Sequence, residues 1–158
     1  YTTMTLENFN KDKVKASEVL SGFENVYKGK EGFASAGSHI VMLSDALVAK
    51  DNNNEAYSLL NLGIQSISNR EVLFFLNSRA ASVAEDLGKT KEALSHLEAI
   101  IQSSVMYMAD KVYLDAGRLY LKLGNKEKAL SSFNWVIEQG KEEEFKKMAR
   151  LYLDELGA

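Results

Sequence analysis

Gly88-Lys89-Thr90 carries the residue types that close a phosphate-binding loop, where backbone N–H groups and a lysine hold phosphate oxygens. That loop needs a glycine five residues before Gly88 and a strand leading into it. Position 83 is Val83 and the pattern before it is helical. The triplet is therefore expected to stop one helix, with Thr90 capping the next. Asp51, Asn53 and Glu55 match the opening of a calcium loop. The glycine such a loop requires is replaced by Ala56, and its closing glutamate by Leu62, which leaves a polar turn. His39 and His96 are far apart, and neither has a second His or Cys at metal-ligand spacing. His39 is expected near a helix start and His96 on a helix surface. No Ser-His-Asp set or carboxylate pair has a geometric warrant. The sequence thus nominates no catalytic residue, cofactor, metal ligand or small-molecule substrate, and the chain reads as a non-enzyme.

The bulk properties narrow the class further. The chain has 158 residues, 46% of them hydrophobic, enough for one domain with a real core. A formal charge of -3 argues against nucleic acid, whose readers carry a clear basic excess. No stretch reaches the roughly 18 to 20 apolar residues of a membrane span. There is no cysteine, so no disulfide or thiolate chemistry. There is no proline either, so helix ends must rely on Gly, Asn, Asp and Thr. A chain that begins at Tyr1 is expected to be a piece of a longer protein, with any signal or membrane anchor upstream.

Positioning falls to helices. The stretch from Asp110 to Gln139 holds two amphipathic patterns on either side of Gly124-Asn125. Tyr113, Ala116, Gly117, Tyr120 and Leu121 share one face; Ala129, Leu130, Phe133, Val136 and Ile137 share the other. Ala116, Gly117 and Ala129 are small where two antiparallel helices would cross. Gly124 suits the left-handed end of the first helix, and Asn125 can cap the second. Residues 1–10 read as a loose lead-in or a short turn of helix. A helix is expected from Lys11 to about Lys28, with Val14, Val19, Leu20, Phe23, Val26 and Tyr27 inward, then a break at Gly29 to Gly32. Hairpins are expected at about 34–67, 71–103 and 108–139. A lone capping helix over 141–157 has Phe145, Met148, Ala149, Tyr152 and Leu156 inward.

The hairpins fall in register. A turn residue recurs as Asp51, Gly88 and Gly124, and a small residue five positions later as Ala56, Ala93 and Ala129. Each alanine is followed four residues on by Leu60, Leu97 or Phe133. A two-helix unit of this period is the signature of a helical solenoid. The last unit, Tyr113-x2-Ala116-Gly117-x2-Tyr120 followed by Ala129-x3-Phe133, resembles the tetratricopeptide repeat, Trp-x2-Leu-Gly-x2-Tyr then Ala-x3-Phe. The family's closing proline is missing from all three units, which leaves the superhelical pitch open. The resemblance implies an all-α, right-handed α-α solenoid: one domain over residues 1–158 with three hairpins, an N-terminal helix and a C-terminal capping helix.

The end of the chain, SSFNWVIEQG followed by EEFKKMARLYLDELGA, is similar to that of the ancillary SecYEG translocon subunit family. That resemblance implies a periplasmic tetratricopeptide domain, anchored to the inner membrane by a segment outside this chain. It also implies a scaffold that holds chaperone or translocon partners. The alternatives are a cytosolic tetratricopeptide adaptor and an outer-membrane assembly lipoprotein.

In stacked helix pairs the first helices line a groove that takes partner proteins. The repeat register places Ser38, Val41, Asp45 and Val48 there, then Ser78, Ser82, Glu85 and Asp86, then Lys111, Leu114, Arg118 and Lys122. Asp45, Ser82, Glu85, Asp86, Lys111, Arg118 and Lys122 are the expected partner-binding residues, acidic in the middle and basic toward the end. The Lys/Asn carboxylate clamp of some tetratricopeptide proteins would fall on Val41 and Asp45, so that clamp is absent. The competing expectation is a groove filled by the N-terminal helix, 11–28, or simply solvated.

Overall fold

The computed structural model describes residues 2–27 and 36–157. Among the described residues there are nine α-helices and no strand. They are α1 (Thr2–Asn10), α2 (Ala16–Tyr27), α3 (Gly37–Ala49), α4 (Asn53–Ser66), α5 (Arg70–Asp86), α6 (Thr90–Gln102), α7 (Ala109–Lys122), α8 (Lys126–Gln139) and α9 (Glu143–Leu156). The chain is all-α, and the main packing is between neighbours. α3–α4, α5–α6 and α7–α8 form pairs, and α4–α5, α6–α7 and α8–α9 contacts join one pair to the next.

The three pairs turn by one repeated device. Asp51, Gly88 and Gly124 all take the left-handed conformation, with φ of 59°, 73° and 78°. Just beyond each, a backbone N–H reaches back five residues to a helix carbonyl. These bonds run from Asn52 to Leu47 (2.9 Å), Lys89 to Ala84 (2.8 Å) and Asn125 to Tyr120 (2.8 Å). This is the Schellman closure, which satisfies carbonyls left free at a helix end. Asn125 then caps α8, its Oδ1 accepting from the Lys128 N–H at 3.1 Å. Thr90 does not cap: α6 starts at Thr90 itself, behind Lys89, with no side-chain bond to the helix end. Ala56, Ala93 and Ala129 are all fully buried, as their register requires.

The core runs as two clusters that meet at α5. Leu76, Ala80 and Val83 face the N-terminal cluster, and Phe74, Ala81 and Ala84 the C-terminal one. A helix buried on two sides is what a middle unit needs, since no hairpin of this size can cover its own apolar face.

The N-terminal region differs from expectation. Residues 2–10 form a helix of their own, and the helix expected from Lys11 starts at Ala16, behind a turn at Lys11 to Lys15 in which Asp12 has φ of 56°. Residues 2–10 are helical because distant groups hold them. Phe9 is buried, and the Lys50 ammonium donates to the carbonyls of Phe9 (2.8 Å) and Asn10 (3.2 Å), capping α1. α2 starts late because Glu18 reaches back to the Lys15 N–H (2.8 Å), half of a capping box. Of its expected stripe, Val19 and Phe23 are fully buried, while Val14, Leu20 and Val26 are half-buried. The Tyr27 side chain, Lys28, the break at Gly29 to Gly32 and the expected start of the next helix at residue 34 lie outside the described residues.

At the other end α9 buries Ala149 and Leu153 and packs Phe145, Tyr152 and Leu156 against the C-terminal cluster. Met148, expected inward, is 41% exposed; Leu153, on another side of the helix, is buried instead. The buried Asp110 of α7 pins the start of α9. Its Oδ2 accepts from the N–H groups of Lys141 (2.6 Å) and Glu142 (2.7 Å).

Candidate protein-binding groove

α5 and α7, the first helices of the second and third pairs, leave between them a groove of about 550 Å³. Its lining includes, at spacings of four and three, Phe75, Arg79 and Ser82 on α5, and Lys111, Asp115 and Arg118 on α7, none of them buried; a further step of four leads to Asp86 and Lys122. Helical geometry puts such a set on one stripe.

Four of the expected residues, Ser82, Glu85, Lys111 and Arg118, line this one groove. Asp45 of α3 joins them indirectly: its carboxylate accepts two bonds from Arg79, at 2.8 and 2.9 Å. Asp86 and Lys122 are exposed near its C-terminal end without lining it. Leu114, expected in the lining, is buried instead: it sits at the edge of the Lys111 and Arg118 stripe and packs into the C-terminal cluster. Ser38 is exposed, and Val41 and Val48 are half-buried on α3. α1 packs on α3 and α2 on α4, and among the described residues none of either helix lines this groove.

The electrostatics also differ from expectation. Acid and base are paired with one another. Arg118 grips Glu85 across the groove through both terminal guanidinium nitrogens, with Nη2–Oε2 at 2.8 Å, and Lys111 pairs with Asp115 along α7. The hydrogen bond from Arg118 holds the Glu85 carboxyl below the usual range against the opposing effect of burial, and the same bond raises the guanidinium's pKa. The Arg79–Asp45 and Arg118–Glu85 bonds tie each first helix to the next, at sequence separations of 34 and 33. The charges are therefore largely committed within the protein.

What remains open at the groove is apolar. Phe75 is 49% exposed and Tyr107 47%, their rings stacked with centroids 6.0 Å apart. Phe74 meets Tyr107 edge-on at 5.1 Å. Met108, 65% exposed and lining the groove, precedes α7 in a left-handed conformation with φ of 50°. A non-glycine residue held there carries backbone strain. The sequence reading missed Phe75, Arg79, Asp115, Tyr107 and Met108. The four-three-four stripe that contains Ser82 and Asp86 was enough to find Phe75 and Arg79; Tyr107 and Met108 sit in a connection with no such period.

No known protein family, curated protein or solved structure matches this chain. Its function must therefore be argued from its own residues.

His96 corrects another expectation. It is half-buried and joins three helices. Nδ1 lies 2.9 Å from Asn77 Oδ1, and Nε2 lies 3.1 Å from the Tyr57 hydroxyl. The Asn77 amide nitrogen donates to the Leu73 carbonyl (2.9 Å), which turns its oxygen toward the histidine. A neutral ring with its proton on Nδ1 satisfies the whole chain. Burial pushes the His96 pKa down, against a smaller upward pull from Glu92. The folded protein thus binds this proton less readily than the unfolded chain. Stability from this group is complete above the ordinary histidine value of about 6.5 and is lost as pH falls below it. Denaturant midpoints should fall between pH 7 and pH 5, and His96→Gln should flatten that slope. An unchanged slope in the variant contradicts the assignment.

Proposed function

We propose that this chain is a non-catalytic interaction scaffold whose α5–α7 groove holds a segment of a partner protein. The helix pairs form a single tetratricopeptide-like right-handed solenoid with the groove on its concave side and α9 as its cap. Three Schellman closures and three buried alanines in one register support the solenoid. The observation that carries the binding is the exposed Phe75–Tyr107 stack beside Met108. Exposed aromatic and methionine side chains at a concave site are the kind of anchors that dominate interfaces. Placement among the translocon or chaperone partners of the bacterial envelope rests on the resemblance of the last repeat and final helix.

With the groove's ion pairs internally satisfied, affinity should come from the apolar anchors and depend little on salt. Reversing Arg118 would crowd a third carboxylate against Glu85 and Asp115, so it is a poor probe. Phe75→Ala/Tyr107→Ala is the cleaner one. In pull-downs from bacterial envelope extract the double variant should recover about tenfold less of the partner than wild type, as loss of a hot spot does. Equal recovery by both proteins would remove the groove from consideration.

A further inference from the structure

α9 packs beside α7 as α5 packs beside α3. It buries Phe145, Ala149, Tyr152 and Leu153 wholly or in part; the residues 33 positions earlier, Val112, Ala116, Leu119 and Tyr120, are among the buried residues of α7. The same step carries Lys111, Asp115, Arg118 and Lys122, the groove stripe of α7, onto Glu144, Met148, Leu151 and Glu155. All four are exposed, Met148 by 41% and Leu151 by 63%. The fourth stripe thus differs in kind from the one before it: two apolar residues stand between two carboxylates, with no arginine or lysine in line.

We infer that this face of α9 takes an amphipathic helix of a partner protein, carrying two apolar residues with a Lys or Arg one turn before and one turn after them. The inference rests on the groove reading above and names the partner's chemistry on the helix beside α7. The spacing of Glu144, Met148, Leu151 and Glu155 is that of a coiled-coil seam, which a second helix covers with residues of the same spacing. The bracketing carboxylates select the charge of that helix. They also reject a second copy of this chain. In an antiparallel pair Glu144 would face Glu155, and in a parallel pair each would face itself.

The test is fluorescence anisotropy with the full chain and two labelled alanine-based helical peptides. One carries Lys-x3-Leu-x2-Leu-x3-Lys; the other has Glu in place of both lysines. The lysine peptide should bind about fivefold tighter than the glutamate peptide, the scale of two exposed ion pairs. Glu144→Lys/Glu155→Lys should invert that preference, and Met148→Glu/Leu151→Glu should abolish binding of the lysine peptide. Both variants alter only exposed side chains, and circular dichroism should confirm unchanged helicity. Phe75→Ala/Tyr107→Ala should leave peptide binding intact, so failure here and failure of the groove reading fall on different residues. The inference is overturned if neither peptide binds, if both bind equally, or if the Met148→Glu/Leu151→Glu variant binds like wild type. Sedimentation showing a wild-type dimer that this variant dissolves would overturn it too, since the face would then belong to a second copy.

Discussion

Ending the chain at Gly140 should lower its melting temperature by about 15 °C and leave it prone to aggregate. α9 supplies two buried side chains, Ala149 and Leu153, and three half-buried ones, Phe145, Tyr152 and Leu156. At about 1.5 to 3 kcal/mol for each large side chain fully buried, and less for the partial ones, the loss comes to about 5 kcal/mol. A domain of this size moves by about 2 to 4 °C for each kcal/mol. The truncation also bares Phe133, which is otherwise fully buried and stacked on Tyr152 at 4.9 Å, and frees the Asp110 carboxylate that held the start of α9. Thermal unfolding followed by circular dichroism, with size-exclusion chromatography, reads both effects. An equally stable, monomeric truncation would make α9 an appendage rather than a cap.

Gly117→Leu should cost about 3 kcal/mol, near the upper end for overpacking. A Cβ at Gly117 would lie 2.5 Å from Phe133 Cε1 and 2.9 Å from Cδ1. The ring has little room to retreat, because Tyr152 lies flat against it with the planes 4° apart. Leucine's better helix propensity returns about 1 kcal/mol at most, so the crossing decides the sign. Urea unfolding measures the loss. Adding Phe133→Ala to Gly117→Leu should restore part of it, so that the two substitutions are strongly coupled. Independent, additive effects would mean that α7 and α8 do not cross at this glycine.

The hairpin register was legible in the sequence because its determinants are local. A left-handed turn residue, a small residue five positions on and an apolar residue four beyond that all lie within one hairpin. The placement of Gly117 against Phe133 follows from the same local logic. What could not be read depends on partners far along the chain. Lys50 caps α1 from about 40 residues away, Arg79 reaches Asp45 across 34, and His96 is drawn inward by Tyr57 and Asn77. The groove residues were half legible for the same reason. Periodicity placed Ser82, Glu85, Lys111 and Arg118 on one surface. It gave no sign that Arg118 would be taken up by Glu85, or that Phe75 and Met108 would stand exposed beside that pair. Leu114 was placed in the lining because it lies within about 60° of Lys111 and Arg118 round the helix, and Met148 was placed inward beside Ala149, although one position rotates a residue by about 100°.

Site-directed photo-crosslinking tests the groove most directly. A photoreactive phenylalanine analogue at position 75, in the groove, is compared with one at position 138, an exposed site on α8 that is not part of the groove lining. Each protein is illuminated in bacterial envelope extract. A discrete cross-linked partner from position 75, not formed from position 138 and unchanged between low and high salt, is the expected result. A partner captured from position 138 alone would place recognition on the second helices and contradict a groove that binds through Phe75, Tyr107 and Met108.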